Sequence, residues 1–137
     1  MNLLIFSYAM FGHAHVATIT PDQLMDAIAV VESNRGATSS NVYQLNPIYV
    51  RDVCRITGQR ITFEQAVGDP AVARSCIEAY WEYYGHRYYI LAKKRADAQV
   101  LARIHNGGPD GWRRPSTRAY WNRVKSALIA NGCGGAR

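Results

Sequence analysis

Cysteine is scarce in this chain, and what there is falls in no metal or redox pattern. Cys54, Cys76 and Cys133 match neither a zinc-site nor a thioredoxin spacing, and no Cys/His/Asn arrangement points to a thiol nucleophile. Charge is also sparse, at 19% of residues against 48% hydrophobic, which excludes intrinsic disorder and a coiled coil. Eleven Gly and five Pro are too few for a collagenous or low-complexity chain. No internal repeat or linker breaks the sequence. No apolar run reaches the roughly 20 residues that a membrane-spanning helix needs. The 137 residues are enough for one domain, burying roughly two thirds of its unfolded surface.

Acidic residues are few, and they thin out towards the C-terminus. Residues 1–86 hold five basic and eight acidic residues, whereas residues 87–137 hold eleven basic and two acidic, a net of +9. Such a half suits an anionic polymer: nucleic acid, anionic lipid, or the carboxylate-bearing peptides of a bacterial wall. A solvated basic face without a partner is the alternative.

Residues 3–11, LLIFSYAMF, are apolar and uncharged, and Gly12-His13-Ala14 supplies small residues for cleavage after Ala14. The segment has the form of a short secretory signal without the usual Lys or Arg, or of an apolar arm that packs on the domain. Export would let Cys54 and Cys76, on two neighbouring helices, pair and leave Cys133 over. Three free thiols are the alternative.

The body reads as helices. Thr20-Pro21-Asp22-Gln23 is a capping box with Pro in the first turn, and Leu24, Ala27, Ile28 and Val31 follow at helical spacing. This helix ends near Ser33-Asn34, and residues 34–46 form a loop or small irregular hairpin. Pro47 opens a second helix with Val50, Val53, Cys54 and Ile56 inward. Gly58 to Gly68 is a connection with room for one short turn. Asp69-Pro70 starts the longest helix, 70–92, whose inward stripe is Val72, Ala73, Cys76, Ile77, Tyr80 and Tyr84. Its other tyrosines, Tyr83, Tyr88 and Tyr89, are also read as core. Asp97 caps a helix with Val100, Leu101 and Ile104, which the run from His105 to Pro109 breaks. The last helix begins at Pro115 or Ser116, uses Tyr120, Val124, Ala127 and Leu128, and stops at Gly132.

Four segments have the chemistry of a saccharide cleft. Glu32 closes an apolar helix, where burial would raise its pKa and keep it protonated as a general acid; Ser33 follows it. His105-Asn106-Gly107-Gly108 offers an amide on a backbone open to close approach. Tyr43-Gln44 and Tyr120-Trp121 put flat rings beside polar groups. Asp52 is the best candidate for a second carboxylate, and Glu78 and Glu82 read as a solvated helix face.

The order of these segments over residues 20–128 resembles the lysozyme-like superfamily, and within it the soluble lytic transglycosylase (SLT) domain. That pattern runs Glu-Ser, a Gly-x-x-Gln turn, Tyr-Asn-x-Gly, then Thr-Arg-x-Tyr. Here it is carried by Glu32-Ser33, Gln44, Asn106-Gly107-Gly108 and Thr117-Arg118-Ala119-Tyr120. Three positions depart from it: Asn41 stands in place of Gly, His105 in place of Tyr, and Ser116 in place of Glu. Asn tolerates a positive φ, so the turn before Gln44 is expected to survive.

The resemblance implies a mainly α, lysozyme-like domain over residues 20–131, with a small irregular region beside the cleft. It would be flanked by a signal or apolar segment over 1–19 and a Gly-rich tail over 132–137. It implies a lytic transglycosylase that cleaves peptidoglycan between N-acetylmuramic acid and N-acetylglucosamine, with Glu32 as the general acid and base. Ser33, Tyr43, Gln44, His105, Asn106, Gly107 and Tyr120 would bind substrate, with no metal, no cofactor, no nucleic acid and no membrane span. The protein would act as an exported monomer at periplasmic or extracellular glycan strands, or within a bacteriophage virion or lysis system. A hydrolytic muramidase is the alternative, favoured if Asp52 faces the cleft. A non-catalytic wall-binding relative and an unrelated basic nucleic-acid binder are the others.

The basic half is expected to serve substrate capture more than chemistry. Reversing the charge at Arg113 and Arg114 should weaken binding to intact walls, most at low salt, while cleavage of a short uncharged oligosaccharide changes little. Pull-down on purified walls beside turnover of the oligosaccharide measures both, and equal losses would make these arginines part of the cleft.

Overall fold

The computed structural model describes residues 8–9, 18–38 and 40–133. The cleavage position after Ala14, the rest of the apolar 3–11 segment and the tail beyond Cys133 lie outside the described residues. Two-residue strands β1 (Tyr8–Ala9) and β2 (Thr18–Ile19) pair antiparallel, Tyr8 opposite Ile19. Six helices follow: α1 (Pro21–Asn34), α2 (Pro47–Thr57), α3 (Phe63–Gly68), α4 (Pro70–Ala92), α5 (Ala98–Gly107) and α6 (Arg118–Ala130), with 3-10 turns at Gly111–Arg113 and Pro115–Thr117. The domain is mainly α-helical.

Local sequence explains where most helices begin. The Thr20 hydroxyl accepts from the Gln23 amide while the Gln23 side chain accepts from the Thr20 N–H, closing the capping box. Asn46, Asp69 and Asp97 cap α2, α4 and α5 through their side chains. Thr62 and Gln65 form a second capping box, so the segment expected to be a connection with one turn is a short helix, α3.

Core packing sets the arrangement. α1 lies on α6, α5 is flanked by α4 and α6, and α2 and α3 lie on α4. Leu24, Ile28, Ile77, Leu101, Ile104, Val124 and Leu128 fill the centre. Tyr49 of α2 stacks on Tyr80 of α4 with ring centroids 3.9 Å apart, worth about 0.5–1.5 kcal/mol beyond its buried area. The tyrosines of α4 do not all go inward. Tyr80 and Tyr84 are buried, Tyr88 is half-buried, and Tyr83 and Tyr89 are exposed, because a 23-residue helix turns only one stripe towards its neighbours. Cys54, Cys76 and Cys133 are free thiols. Cys54 is engaged instead with both backbone groups of Ile61, and burial pushes the Cys76 thiol up.

Residues 103–117 are tied together by side-chain and backbone contacts. Arg103 is buried; its Nε donates to the Thr117 hydroxyl (2.8 Å) and its Nη2 to the Arg114 carbonyl (2.8 Å). The Thr117 hydroxyl in turn donates to the Gly111 carbonyl at 2.7 Å. α5 continues through His105 and Asn106 and stops at Gly108, whose φ is +81°. Asn106 and Gly107 therefore belong to a last helical turn, where an open turn was expected. Gly107 allows close packing: a Cβ there would come within 2.5 Å of Thr117 Cγ2. At Gly111 a Cβ would sit 2.0 Å from the Arg103 carbonyl oxygen. Gly111→Ala should therefore destabilise the protein by about 1–3 kcal/mol or more, read as a lowered urea midpoint. An unchanged midpoint would show that the two backbones separate freely.

Candidate active site

Glu32 sits in the last turn of α1 and is only 3% exposed. α1 packs on α6, and this brings the Tyr120 hydroxyl, from the first turn of α6, against the carboxyl. Glu32 Oε2 and the Tyr120 hydroxyl are both buried without a hydrogen-bond partner among the described residues. Oε1 has one long contact, 3.5 Å to Arg35 Nη1. Burial raises the Glu32 pKa above the ordinary carboxylate range; the Tyr120 hydroxyl and the positive charges of Arg35 and Arg123 oppose it without cancelling it. The same burial, with the neighbouring carboxyl, pushes the Tyr120 phenol up. The helix terminus adds to the effect, since the free carbonyls at a C-terminal end disfavour a negative charge. The arrangement raises the affinity of Glu32 for a proton above that of a surface glutamate.

The loop after α1 returns Gln44 to this spot. Gln44 has a left-handed backbone (φ +49°), and its Nε2 donates to the Arg35 carbonyl at 3.3 Å. Asn41 does not take the positive φ. Its side chain donates to the Leu45 carbonyl and accepts from the Leu45 N–H, clamping the turn from outside. Asn is therefore usable there because of its amide, not because of its conformational range.

Tyr43 and His105, expected at the substrate, are turned inward. The Tyr43 hydroxyl accepts from Arg74 Nε at 2.8 Å, and Arg74 also holds Asp22 and Asp26 of α1. The Tyr43 carbonyl accepts from His105 Nε2 at 3.0 Å. That bond puts the imidazole proton on Nε2, leaving Nδ1 to accept from the Tyr49 hydroxyl at 3.4 Å. Both ring nitrogens are occupied, so His105 ties α5 to the Gln44 turn. Asn106 is exposed on the next position of α5, and Ser33 is exposed with its hydroxyl donating to the Val30 carbonyl. Glu32, Tyr120 and Gln44 are thus gathered around the end of α1, with Asn106 beside the histidine that anchors the Gln44 turn.

Asp52 does not complete a carboxylate pair. Oδ2 accepts from the Tyr84 hydroxyl, and Oδ1 accepts from Arg55 through Nη2 at 2.7 Å and Nε at 2.8 Å. Its carboxylate is committed between α2 and α4. A groove of about 740 Å³ on the outer side of those helices, lined by Ile56, Tyr83, His86 and Ile90, includes none of the expected site residues. Among the described residues no group of His, Cys, Asp or Glu could hold a metal ion, and no helix is long and apolar enough to cross a membrane.

No family model matches the chain. Invertebrate-type lysozyme 2 of Caenorhabditis elegans is 30% identical over 97 residues, 66% of this chain and 68% of that protein. The chain belongs to the invertebrate-type lysozyme family. A lysozyme of Magallana gigas is 36% identical over 86 residues, 63% of this chain; the chain spans 58% of that relative's length. One chain in the crystal structure of Aeromonas hydrophila PliI in complex with Meretrix lusoria lysozyme superposes with a TM-score of 0.62 at 25% identity, covering 84% of this chain and 93% of that one. Family membership places the domain among enzymes that cleave glycosidic bonds. It supports the wider lysozyme-like resemblance rather than the SLT domain in particular.

Sequence reasoning missed the cations of the site. Arg35 stands three residues after Glu32, a spacing that puts both on one face, and Arg123 stands three after Tyr120. The positioning role of His105 depends on partners 56 and 62 residues away and has no local signal.

Burial lowers the His105 pKa to about 4, the bond to Tyr43 only partly opposing it. An unfolded histidine titrates near 6.5, so below that pH the unfolded chain binds the extra proton. Stability should fall as pH drops from about 6.5 to 4, by on the order of 3 kcal/mol from this group. Urea unfolding at pH 7 and 4.5 should show the loss in wild type and much less of it in His105→Gln; equal losses in both would assign it elsewhere.

Proposed function

We propose that the protein is a muramidase that hydrolyses the bond between N-acetylmuramic acid and N-acetylglucosamine in peptidoglycan, with Glu32 as the general acid. The observation that carries this reading is the buried Glu32 carboxyl beside Tyr120 at a helix end, its pKa raised by burial. In the reaction Glu32 gives its proton to the glycosidic oxygen as the bond to the anomeric carbon breaks. Water then adds to that carbon, and its released proton returns to the Glu32 carboxylate. Gln44, Asn106 and Tyr120 contact or border the bound glycan, with Ser33 at the rim. Tyr43, His105 and Gly107 act from beneath it: the first two fix the Gln44 turn, and Gly107 lets α5 approach the start of α6.

Substrate and setting follow from the same reading. The glycan strand is the partner of a monomer, and the +9 half favours a wall bearing peptide carboxylates over nucleic acid. The protein works where it meets walls, outside the cytoplasm.

That the relatives are named lysozymes favours hydrolysis over the transglycosylation that the SLT resemblance implies. One observation favours transglycosylation: with Asp52 committed to Tyr84 and Arg55, Glu32 has no carboxylate partner among the described residues, and intramolecular attack by the muramoyl C6 hydroxyl needs only one carboxyl. Glu32→Gln should lower wall cleavage at least 10²-fold with folding intact, while wild-type digests should release muropeptides with reducing ends in mass spectra. A Gln variant with wild-type activity would remove Glu32 from the mechanism, and 1,6-anhydro ends would replace hydrolysis by transglycosylation.

A further inference from the structure

We propose that Arg35 is a specificity-determining residue, whose guanidinium leaves Glu32 to pair with a carboxylate carried by the glycan, so that an anionic saccharide frees the acid for proton transfer. The inference rests on the muramidase reading and adds to it a substrate chemistry and a coupling between binding and the acid.

The Arg35 backbone is fixed while its side chain is not. Its N–H donates to the Glu32 carbonyl at 3.0 Å and its carbonyl accepts from Gln44. Beyond Cα the guanidinium has a single acceptor among the described residues, Glu32 Oε1 at 3.5 Å. A well-made charge-assisted bond is nearer 2.7–2.9 Å, and Arg meets a carboxylate best through two parallel bonds. This pair has neither feature. The cation is steadied instead by the Tyr120 ring, 5.4 Å from its centroid, and the side chain remains 41% exposed. Arg35 is thus a guanidinium with most of its donors unused, facing solvent beside a buried acid.

A planar anion arriving at the site offers Arg35 two short bonds in place of one long contact. Its departure changes Glu32 in a definite direction. The charged and titratable groups facing the carboxyl are Arg35 from the end of α1, and Tyr120 and Arg123 from α6. Removing the nearest cation takes away one of the charges that oppose burial, so the affinity of the carboxyl for a proton rises further. A neutral saccharide leaves Arg35 on Glu32 and the acid more ionised. A carboxylate can reach the site from two sources, the lactyl group of a peptide-free muramoyl residue or the stem peptide of a substituted one.

The test compares kcat/KM against pH on three substrates: peptide-free glycan strands, peptide-bearing strands, and neutral N-acetylglucosamine oligomers of matched length. Wild type should prefer at least one anionic substrate by tenfold or more at pH 7, and which one identifies the source of the carboxylate. Arg35→Gln should reduce that preference to within about threefold and carry the alkaline limb of activity on neutral oligomers to higher pH. Arg35→Lys, which keeps the charge without the fork, should retain part of the preference. A full preference in Arg35→Gln, or an alkaline limb that stays or moves down, overturns the proposal. Glu32→Gln serves as the control: activity there overturns the muramidase reading itself, whereas an inactive control with an unaltered Arg35→Gln profile overturns the Arg35 role alone.

Discussion

A carboxyl group closed in between two helices organises this site. α1 delivers Glu32 to its own C-terminal end, and α6 covers it with the Tyr120 phenol, so that burial raises the carboxyl's pKa despite the charges of Arg35 and Arg123. An exposed glutamate at the same helix end would titrate like any surface acid. The close seating of α1 on α6 is therefore a chemical requirement as well as a packing one, and the core residues Leu24, Ile28, Val124 and Leu128 that hold these helices in place indirectly set the acidity of Glu32.

The opposite wall is made by a different means. Among its described residues, the segment between α1 and α2 has turn bonds but no ladder of backbone bonds to stiffen it. It is pinned by side chains reaching in from elsewhere: Arg74 of α4 at the Tyr43 hydroxyl, His105 of α5 at the Tyr43 carbonyl, and Asn41 across its own turn. Arg74 holds two aspartates of α1 at the same time, so the loop is registered against the helix that carries Glu32. A neutral histidine suits this duty. It supplies a donor and an acceptor in fixed directions and needs no counter-ion in an apolar setting.

What could be read from the sequence follows the range of the interactions concerned. The starts of α1, α2, α4 and α5 depend on caps within three residues, and each start was legible at Thr20, Pro47, Asp69-Pro70 and Asp97, though the Asn46 cap itself was not read. The end of α5 was misplaced because Asn106-Gly107-Gly108 reads as a breaker. Only Gly108 has the positive φ, and Gly107 is small for the sake of Thr117, ten residues on. α3 carries its own capping box at Thr62 and Gln65 but is too short for a periodic stripe. Glu32, Gln44 and Tyr120 could be singled out from order and spacing. The inward roles of Tyr43 and His105 could not, because nothing local tells a histidine aimed at a ligand from one aimed at a carbonyl across the fold.

The knot formed by Arg103, Gly111, Arg114 and Thr117 also limits how the chain can change over evolutionary time. Its contacts count residues: the guanidinium reaches the carbonyl eleven positions on, the threonine hydroxyl reaches back six, and the glycine backbone lies directly against a carbonyl. Inserting or deleting one residue there would shift every partner at once and displace the start of α6, with Tyr120 on its first turn. Among the described residues, the bonds of Gly36, Ala37 and Thr38 are local, to the end of α1 and within the loop, so a change of length there disturbs fewer distant partners. Related chains should differ in size on the Gln44 side of the cleft while keeping a constant span on the Tyr120 side.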